Sequence, residues 1–289
     1  MRLAFKPLAA ITLWGISFIA TKLALDELAP TAIIYLRLGF GALTLALIAL
    51  YTKRKFTIKG NDLLGIFVLS LIAILHLTIQ VIGINFTSAS NTGWIIGLSP
   101  IFMVFLGILF FKEKINFIQS IGILIALIGL LLLVGKGDIT AIDLIKNKGD
   151  LLVLGSAFTW AVYSFAGKKV TLNYPPLMTI LYQFLMMVVL LSPFVINAEN
   201  IIAVKTLSYN GWAAILFLGI FCSGIAYVFW ASAMKQMNST RVGAFLYLEP
   251  FVTVVAAWLI LSEQVTLIMI LSGIAILLGV YLVNRKSNS

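Results

Sequence analysis

Charged residues, cysteine and histidine are all scarce in this sequence. Only 10% of its 289 residues are charged, whereas a soluble domain carries about 25%. The single cysteine, Cys222, excludes an intrachain disulfide. The single histidine, His76, has no partner ligands for a transition metal. We therefore predict no metal site and no cofactor, and no segment is long and polar enough to form a soluble catalytic domain.

Long apolar runs occupy most of the chain instead. Hydrophobic residues make up 62% of the sequence, and its mean hydropathy is +1.11. A helix needs about 20 apolar residues to cross a bilayer, and its backbone groups must be satisfied within the segment. We therefore predict an all-α integral membrane protein that contacts the lipid bilayer. Its ten transmembrane helices are predicted at residues 7–25, 31–51, 63–84, 90–111, 116–135, 149–170, 177–196, 210–233, 240–261 and 266–284.

Two sets of residues occur twice, about 150 residues apart. The pairs are Ser99-Pro100 and Lys112-Glu113 with Glu249-Pro250 and Ser262-Glu263, and Trp14, Lys22 and Pro30 with Trp160, Lys168 and Pro176. We predict a first five-helix repeat at residues 1–135, a connecting loop at 136–148 and a second five-helix repeat at 149–289. Because five is odd, the second repeat would enter the membrane the opposite way up. Such inverted repeats are typical of transporters.

The net charge of +10 does not indicate a nucleic-acid partner. The lysines and arginines lie in loops between apolar runs, where the positive-inside rule accounts for them. With the N-terminus inside, the predicted cytoplasmic segments hold 14 of them and the outer segments hold five. Both termini are therefore predicted to be cytoplasmic. We interpret the first apolar run as a retained span rather than a signal peptide, and we expect a bacterial inner membrane or an archaeal plasma membrane.

The order of several motifs resembles that in a known family. Tyr247-Leu248-Glu249-Pro250 followed by Leu261-Ser262-Glu263-Gln264 resembles the end of a repeat in the EamA family of the drug/metabolite transporter superfamily. Phe86-Thr87-Ser88-Ala89-Ser90 is similar to the family's segment between the third and fourth spans. The resemblance covers essentially the whole chain. It implies ten helices, cytoplasmic termini and movement of a small metabolite, often outward, and it leaves the substrate open.

Two charged residues inside apolar runs are the leading candidates for a site. Glu249 is the one acidic residue deep inside a predicted span, where a carboxylate costs at least about 2.5–3.5 kcal/mol. It either couples protons or binds a substrate amine, or it is a structural carboxylate beside Pro250. Arg37 is the one basic residue well inside a span. It either extends outward to the membrane surface, pairs with Glu249 or binds a substrate carboxylate.

Further candidates are polar or aromatic residues within the predicted spans. His76 and Gln80 are one helical turn apart and share a face, which suits a proton relay or a polar contact between helices. A group of aromatic and amide residues is expected to line a substrate cavity, with helix packing as the alternative: Trp14, Trp94, Trp160, Tyr163, Tyr182 and Gln183. Tyr227 and Trp230 are assigned to packing, and Glu113 and Glu263 to structural roles at span ends.

Prolines and glycines in the spans suggest bends and close contacts. Pro100 and Pro250 fall near the middle of predicted spans, where each should kink a helix. Such paired kinks serve as hinges or gates, or they are static bends. Gly93 and Gly97 form a GxxxG motif, which permits close helix contact or a homodimer.

These features together predict a secondary transporter of small metabolites, specifically an exporter of amino acids or related compounds. It would work by alternating access between the repeats, with proton coupling and a homodimer as further expectations. The alternative is a multidrug or amphipathic-cation efflux carrier. No Walker loop occurs, so direct ATP use is not expected. No HExxH, GxSxG or pair of intramembrane aspartates occurs either, which leaves an intramembrane enzyme as a remote alternative. A channel would show rings of like charge or a carbonyl filter, which are absent from the sequence.

Overall fold

The computed structural model describes residues 2–135, 145, 147–171, 174–261 and 266–285. Most of the predicted connecting loop, and Glu263, lie outside these residues. Within them the chain is helical and contains no β-strand. The helices are α1 (Arg2–Leu25), α2 (Pro30–Tyr51), α3 (Gly60–Asn85), α4 (Ala89–Ile96), α5 (Ser99–Phe111), α6 (Phe117–Val134), α7 (Lys148–Thr171), α8 (Pro176–Val195), α9 (Ala198–Lys205), α10 (Tyr209–Leu216), α11 (Ala226–Gln236), α12 (Ser239–Gly243), α13 (Leu248–Leu261) and α14 (Leu267–Asn284). A π-helical segment, Phe217–Ile225, joins α10 to α11, and a 3₁₀ turn, Ala244–Tyr247, joins α12 to α13.

Polar side chains cap the N-termini of several helices at the breaks between apolar runs. Ser88 Oγ accepts a hydrogen bond from the Asn91 amide at the start of α4 (3.0 Å). Asn116 and Gln119 form a capping box at the start of α6. These side chains satisfy N–H groups that have no partner within the helix. Because Ser88 caps α4, a short polar stretch is enough to separate α3 from α4.

Nine helical stretches among the described residues are long and apolar enough to cross a membrane. They coincide with nine of the ten predicted spans. The remaining predicted span, residues 240–261, coincides with α12, the 3₁₀ turn and α13, each of which is shorter than a full span. The all-helical, many-span architecture is confirmed, and the count of ten stays a prediction.

The two halves of the chain pack against each other through equivalent pairs of helices. α2 packs against α8, and α6 packs against α14, so the second and fifth stretches of one half meet their counterparts in the other. α3 packs against α7, while α1 packs against the π segment and α11. Both of these contacts join the third stretch of one half to the first stretch of the other.

Two glycines bring α6 and α14 into close contact. A Cβ atom on Gly279 would lie 2.5 Å from the Gly122 carbonyl oxygen and 2.6 Å from the Ala126 amide nitrogen. Real side chains do not approach backbone this closely, so a larger residue would force the helices apart. The contact therefore depends on the absence of a side chain at this position.

We expect Gly279→Leu to lower the thermal unfolding midpoint of the detergent-solubilised protein by several degrees, because overpacking costs about 1–3 kcal/mol. Gly39→Ala in α2 is the matched control, since a Cβ there meets no atom within 4 Å. Its midpoint should stay the same or rise, because alanine favours helix. Equal midpoints for the two variants would contradict the proposed role of this contact.

Regular α-helix is interrupted close to both prolines. Before Pro100, α4 ends at Ile96, four residues earlier, and α5 begins at Ser99. Pro100 is thus the second residue of its helix, where its missing N–H would have no helical acceptor. Pro250 is the third residue of α13, directly after the 3₁₀ turn. Both broken helices belong to equivalent positions in the two halves, and their role as hinges stays a prediction.

The GxxxG motif of Gly93 and Gly97 makes a helix contact within the chain. A Cβ atom on Gly93 would lie 3.0 Å from Thr253 Oγ1, and one on Gly97 would lie 2.8 Å from Pro250 Cγ. Both glycines therefore face α13 and are unavailable to a second copy. A homodimer stays a prediction that this motif no longer supports.

Hydrogen bonds identify two sides of the molecule. On one side, the Lys59 amide donates to Tyr174 Oη (2.9 Å) and Lys235 Nζ donates to the Tyr174 carbonyl (3.2 Å). We call this the basic side; the α2–α3, α7–α8 and α11–α12 connections lie there. On the opposite side, Lys22 Nζ donates to the Thr87 carbonyl (3.0 Å), and Glu27 accepts hydrogen bonds from Ser208.

Glu113 makes a further contact between the halves on the basic side. Its Oε1 accepts from the Ser239 amide (2.8 Å), and its Oε2 accepts from the amide (3.0 Å) and hydroxyl (2.7 Å) of Thr240. Lys168 Nζ lies 3.7 Å from Glu113 Oε1 and donates to Ser239 Oγ (3.0 Å). Glu113 follows α5, and Ser239 begins α12, so this contact joins the two broken helices. We call it the Glu113 contact.

Candidate functional site

A small cavity lies between the two halves and gathers residues from seven helices. Its volume is about 30 Å³, which is room for about two water molecules. Six predicted site residues line it: Trp14, Arg37, His76, Gln80, Trp160 and Glu249. Five residues outside that prediction complete the lining: Ser17, Phe18, Leu77, Ile96 and Tyr227.

Arg37 points into the protein rather than toward the membrane surface. Its side chain is 4% exposed, and its Nε donates to Ser223 Oγ (3.0 Å). This geometry excludes the predicted alternative in which the side chain extends outward. No carboxylate among the described residues lies within 4.0 Å of the guanidinium. The guanidinium is thus held by a hydroxyl and remains able to bind an anionic group in the cavity.

Glu249 lies on the α13 side of the same cavity. It is the second residue of that helix and is 3% exposed. Its carboxyl makes no hydrogen bond with any residue that the structure describes, although the Glu249 carbonyl accepts from Thr253 Oγ1 (3.0 Å). A buried charge without a partner is strongly unfavourable. The carboxyl is therefore either protonated in this conformation or in need of a cationic group from the cavity.

The π segment positions both Arg37 and Trp14. Ser223 holds Arg37, and the neighbouring Cys222 carbonyl accepts a hydrogen bond from Trp14 Nε1 (2.9 Å). A Cβ atom on Gly219 would lie 2.5 Å from Phe40 Cβ, so a glycine is needed for α2 to approach. π-helical turns often occur at functional sites. The sequence carries no pattern that predicts one here.

Three aromatic rings, Trp14, Trp160 and Tyr227, form one end of the cavity; we call them the aromatic cluster. Trp14 and Trp160 have ring centroids 4.8 Å apart at 84°, an edge-to-face pair, and Tyr227 lies 5.5–5.7 Å from both. Trp160 Nε1 is buried and finds no acceptor among the described residues. An unpaired buried donor costs about 1–3 kcal/mol, which a ligand oxygen would relieve.

His76 and Gln80 extend the cavity lining along α3. His76 Nδ1 lies 3.0 Å from the Ser156 carbonyl oxygen, which can only accept a hydrogen bond. Nδ1 therefore carries a proton, and in the neutral ring Nε2 is left as an acceptor. The imidazole also packs 5.1 Å from Trp160.

Four predicted site residues lie outside the cavity. Tyr163 Oη donates to Gln183 Oε1 (3.0 Å), and this pair lies behind the aromatic cluster. Tyr182 lines a separate apolar groove beside α3, and Trp94 has a buried indole N–H without an acceptor among the described residues.

Tyr227 was predicted only to pack between helices, but it lines the cavity. Trp230 does pack, with its Nε1 donating to Ser164 Oγ (3.0 Å). Ser17 and Phe18 follow Trp14 by three and four residues, so helical periodicity from Trp14 would have indicated them.

Comparison with known proteins places these features in a family. An uncharacterized transporter of Archaeoglobus fulgidus is 30% identical over 284 residues, covering 97% of each chain. The uncharacterized transporter YyaM of Bacillus subtilis is 25% identical over 270 residues, covering 92% of this chain and 88% of its own. A solved crystal structure superposes with a TM-score of 0.79 over 97% of this chain and 96% of its own. At 18% identity that likeness shows the fold alone.

The family match extends over both halves. Residues 3–135 and 147–285 each match the EamA-like transporter family. With its many membrane-spanning helices, this multi-pass membrane protein belongs to the EamA-like transporter family.

Proposed function

We propose that the protein is a secondary transporter that exports amino acids or related metabolites. The observation that supports this most is that Arg37 and Glu249 line the same cavity between the halves. A guanidinium suits a substrate carboxylate, because it can form two parallel hydrogen bonds. A carboxylate suits a substrate ammonium. The two charges, together with the aromatic cluster, favour a zwitterion that has an apolar or aromatic side chain.

Transport is proposed to proceed by alternating access between two inverted five-helix repeats, residues 1–135 and 149–289. The equivalent helix pairs across the halves support this arrangement. At about 30 Å³ the cavity cannot hold an amino acid, so the aromatic cluster must move before the substrate enters. Substrate entry and release then follow from opening one side of the molecule at a time.

Proton coupling is proposed to depend on Glu249. Its carboxyl would hold either a proton or the substrate ammonium, because both neutralise the same buried charge. Release of the substrate outside would let a proton bind, and that proton would leave on the cytoplasmic side. Each outward passage of substrate is thereby exchanged for an inward proton. The basic side is proposed to be cytoplasmic, with both termini there, in a cell membrane.

Efflux of amphipathic cations is the second candidate. The aromatic cluster and Glu249 suit a cation, whereas Arg37 repels one in the same small cavity. Catalysis has less support. His76 Nδ1 bonds to the Ser156 carbonyl (3.0 Å), and the hydroxyl near it, Thr159 Oγ1 at 3.4 Å, is itself bonded to backbone carbonyls.

Counterflow in proteoliposomes tests the zwitterion proposal. Vesicles loaded with unlabelled phenylalanine should take up labelled phenylalanine, and external phenylalanine should compete. Phenylethylamine, which lacks the carboxylate, and phenylpropionate, which lacks the ammonium, should each compete at least about tenfold more weakly, since each leaves one buried charge unpaired. Chromatography should recover the solute unaltered. Equal competition by phenylethylamine would favour the cation carrier instead.

A further inference from the structure

A second concave site lies on the outer surface of the molecule, between α5 and α7. Its volume is about 700 Å³, and it shares no lining residue with the cavity between the halves. Nine of its ten lining side chains are apolar and the tenth is Lys169. Two of its phenylalanines are exposed, Phe105 at 60% and Phe110 at 67%. We call this site the α5–α7 groove.

The α5–α7 groove is cationic at one end and apolar along the rest of its length. On α7 it extends from Phe158 to Lys169, a distance of roughly 16 Å at 1.5 Å per residue. Lys169 is exposed, and so are Lys112 and Lys114, which follow α5 at the same end. This end lies on the basic side, because the Glu113 contact is made there. The charge and the apolar trough are therefore aligned along the helices.

We propose that the α5–α7 groove binds a phospholipid that has an anionic headgroup. The phosphate lies against Lys169, with Lys112 and Lys114 nearby, and an acyl chain extends along the phenylalanines toward Phe158. Lysines that cluster at the ends of membrane helices attract lipids with anionic headgroups. A partner helix suits the groove less well, because helix contacts in membranes favour small residues rather than projecting phenylalanines.

The occupied groove would support the contact between the halves. Phe111 forms part of the groove and packs 5.2 Å from Phe165. The Lys168 ammonium lies 5.2 Å above the Phe111 ring while it donates to Ser239 Oγ. An acyl chain against Phe111 and Phe165 would restrict these rings and, through them, Lys168. Lipid binding should therefore stabilise the folded protein.

Binding is tested with the purified full-length protein in detergent. Dioleoyl phosphatidylglycerol should raise the thermal unfolding midpoint and remain bound in native mass spectrometry at a concentration at least fivefold lower than dioleoyl phosphatidylcholine. Lys169→Gln should abolish this preference, and Val162→Trp, which fills the groove, should abolish binding of both lipids. Lys55→Gln and Val68→Trp are matched controls, since both positions are exposed and lie outside the groove.

A photoactivatable phosphatidylglycerol provides a second measurement on the unaltered protein. It should crosslink to peptides that contain residues 105–111 and 158–169, even if Val162→Trp does not fold. The proposal is overturned if Lys169→Gln retains the preference, if crosslinks map elsewhere, or if glycerol phosphate alone displaces the lipid at equal concentration. That last result would indicate a site for free phosphate rather than for lipid.

Discussion

Transport is expected to fall by at least about tenfold when Glu249 is replaced by glutamine, while the amount of folded protein in the membrane stays unchanged. Glutamine keeps the shape of the side chain and removes its charge. Because the carboxyl makes no hydrogen bond within the described residues, folding loses little. A substrate ammonium would lose an interaction that contributes about 1.5–3 kcal/mol, or roughly 10–100-fold in affinity. Phenylalanine counterflow in proteoliposomes measures the effect.

Glu199→Gln is the control for this experiment, because Glu199 is exposed in α9 and lies outside the cavity. It removes the same charge and should transport normally. If Glu249→Gln keeps both normal abundance and normal counterflow, then Glu249 does not bind the substrate ammonium and the zwitterion site is wrong.

The two proposed roles of Glu249 can be separated by the driving force. Counterflow exchanges substrate for substrate and needs no net proton movement, whereas uptake driven by a pH gradient does. Loss of both activities in Glu249→Gln indicates that the carboxyl binds the substrate ammonium. Loss of only the gradient-driven uptake indicates that it carries the proton and that the ammonium is bound elsewhere.

The sequence predicted the helices well because one requirement dominates in a bilayer: every spanning segment must be apolar and hydrogen-bonded within itself. It was less specific about the interruptions. A kink was expected at Pro100 and Pro250, but the turn that precedes α5 and the 3₁₀ turn that precedes α13 were not. A proline leaves the carbonyl four residues earlier without its helical N–H donor. Whether another donor replaces it depends on how the neighbouring helices pack. The π segment likewise depends on distant partners, Trp14 and Arg37.

The site was predictable only in part, for a related reason. Arg37 and Glu249 could be identified because a charge inside an apolar run must turn inward. Tyr163 and Gln183 are polar too, but they satisfy each other with one hydrogen bond and lie outside the cavity. Composition cannot show such pairing. Tyr227 follows the π segment, and the wider turns there change which residues face inward.

The Glu113 contact should control access to the cavity from the basic side. It joins the end of α5 to the start of α12, so it must break whenever the halves separate on that side. Burial alone would raise the pKa of Glu113, but the hydrogen bonds from Thr240 and Ser239 outweigh burial and lower the pKa below its ordinary value. The carboxylate is therefore stabilised in its ionised form by the groups that it joins.

We expect Glu113→Gln to open the basic side. Glutamine offers one neutral acceptor where the carboxylate offers two charged ones, and a loss of about 1.4 kcal/mol would shift the equilibrium about tenfold. The readout is the rate at which a membrane-impermeant maleimide, added from the basic side, labels Ser17→Cys in a Cys222→Ser background. Ser17 lines the cavity, and Cys222 is the one native cysteine. Labelling should become about tenfold faster, whereas Lys114→Gln, an exposed neighbour, should leave the rate unchanged.

Acid should reproduce the effect of Glu113→Gln in the unaltered protein. A glutamate whose pKa is lowered by folding contributes stability above its unfolded pKa, and this contribution is lost as the pH falls through the folded value. The unaltered protein should therefore label slowly at pH 7 and as fast as Glu113→Gln well below the ordinary glutamate pKa of about 4.3. The two labelling rates are compared at the same pH, because acid lowers the thiolate fraction of Ser17→Cys, and with it the maleimide reaction, in both proteins. A pH-independent difference between the two proteins would mean that shape rather than charge at Glu113 closes the basic side, since only the ionised carboxylate loses its advantage in acid.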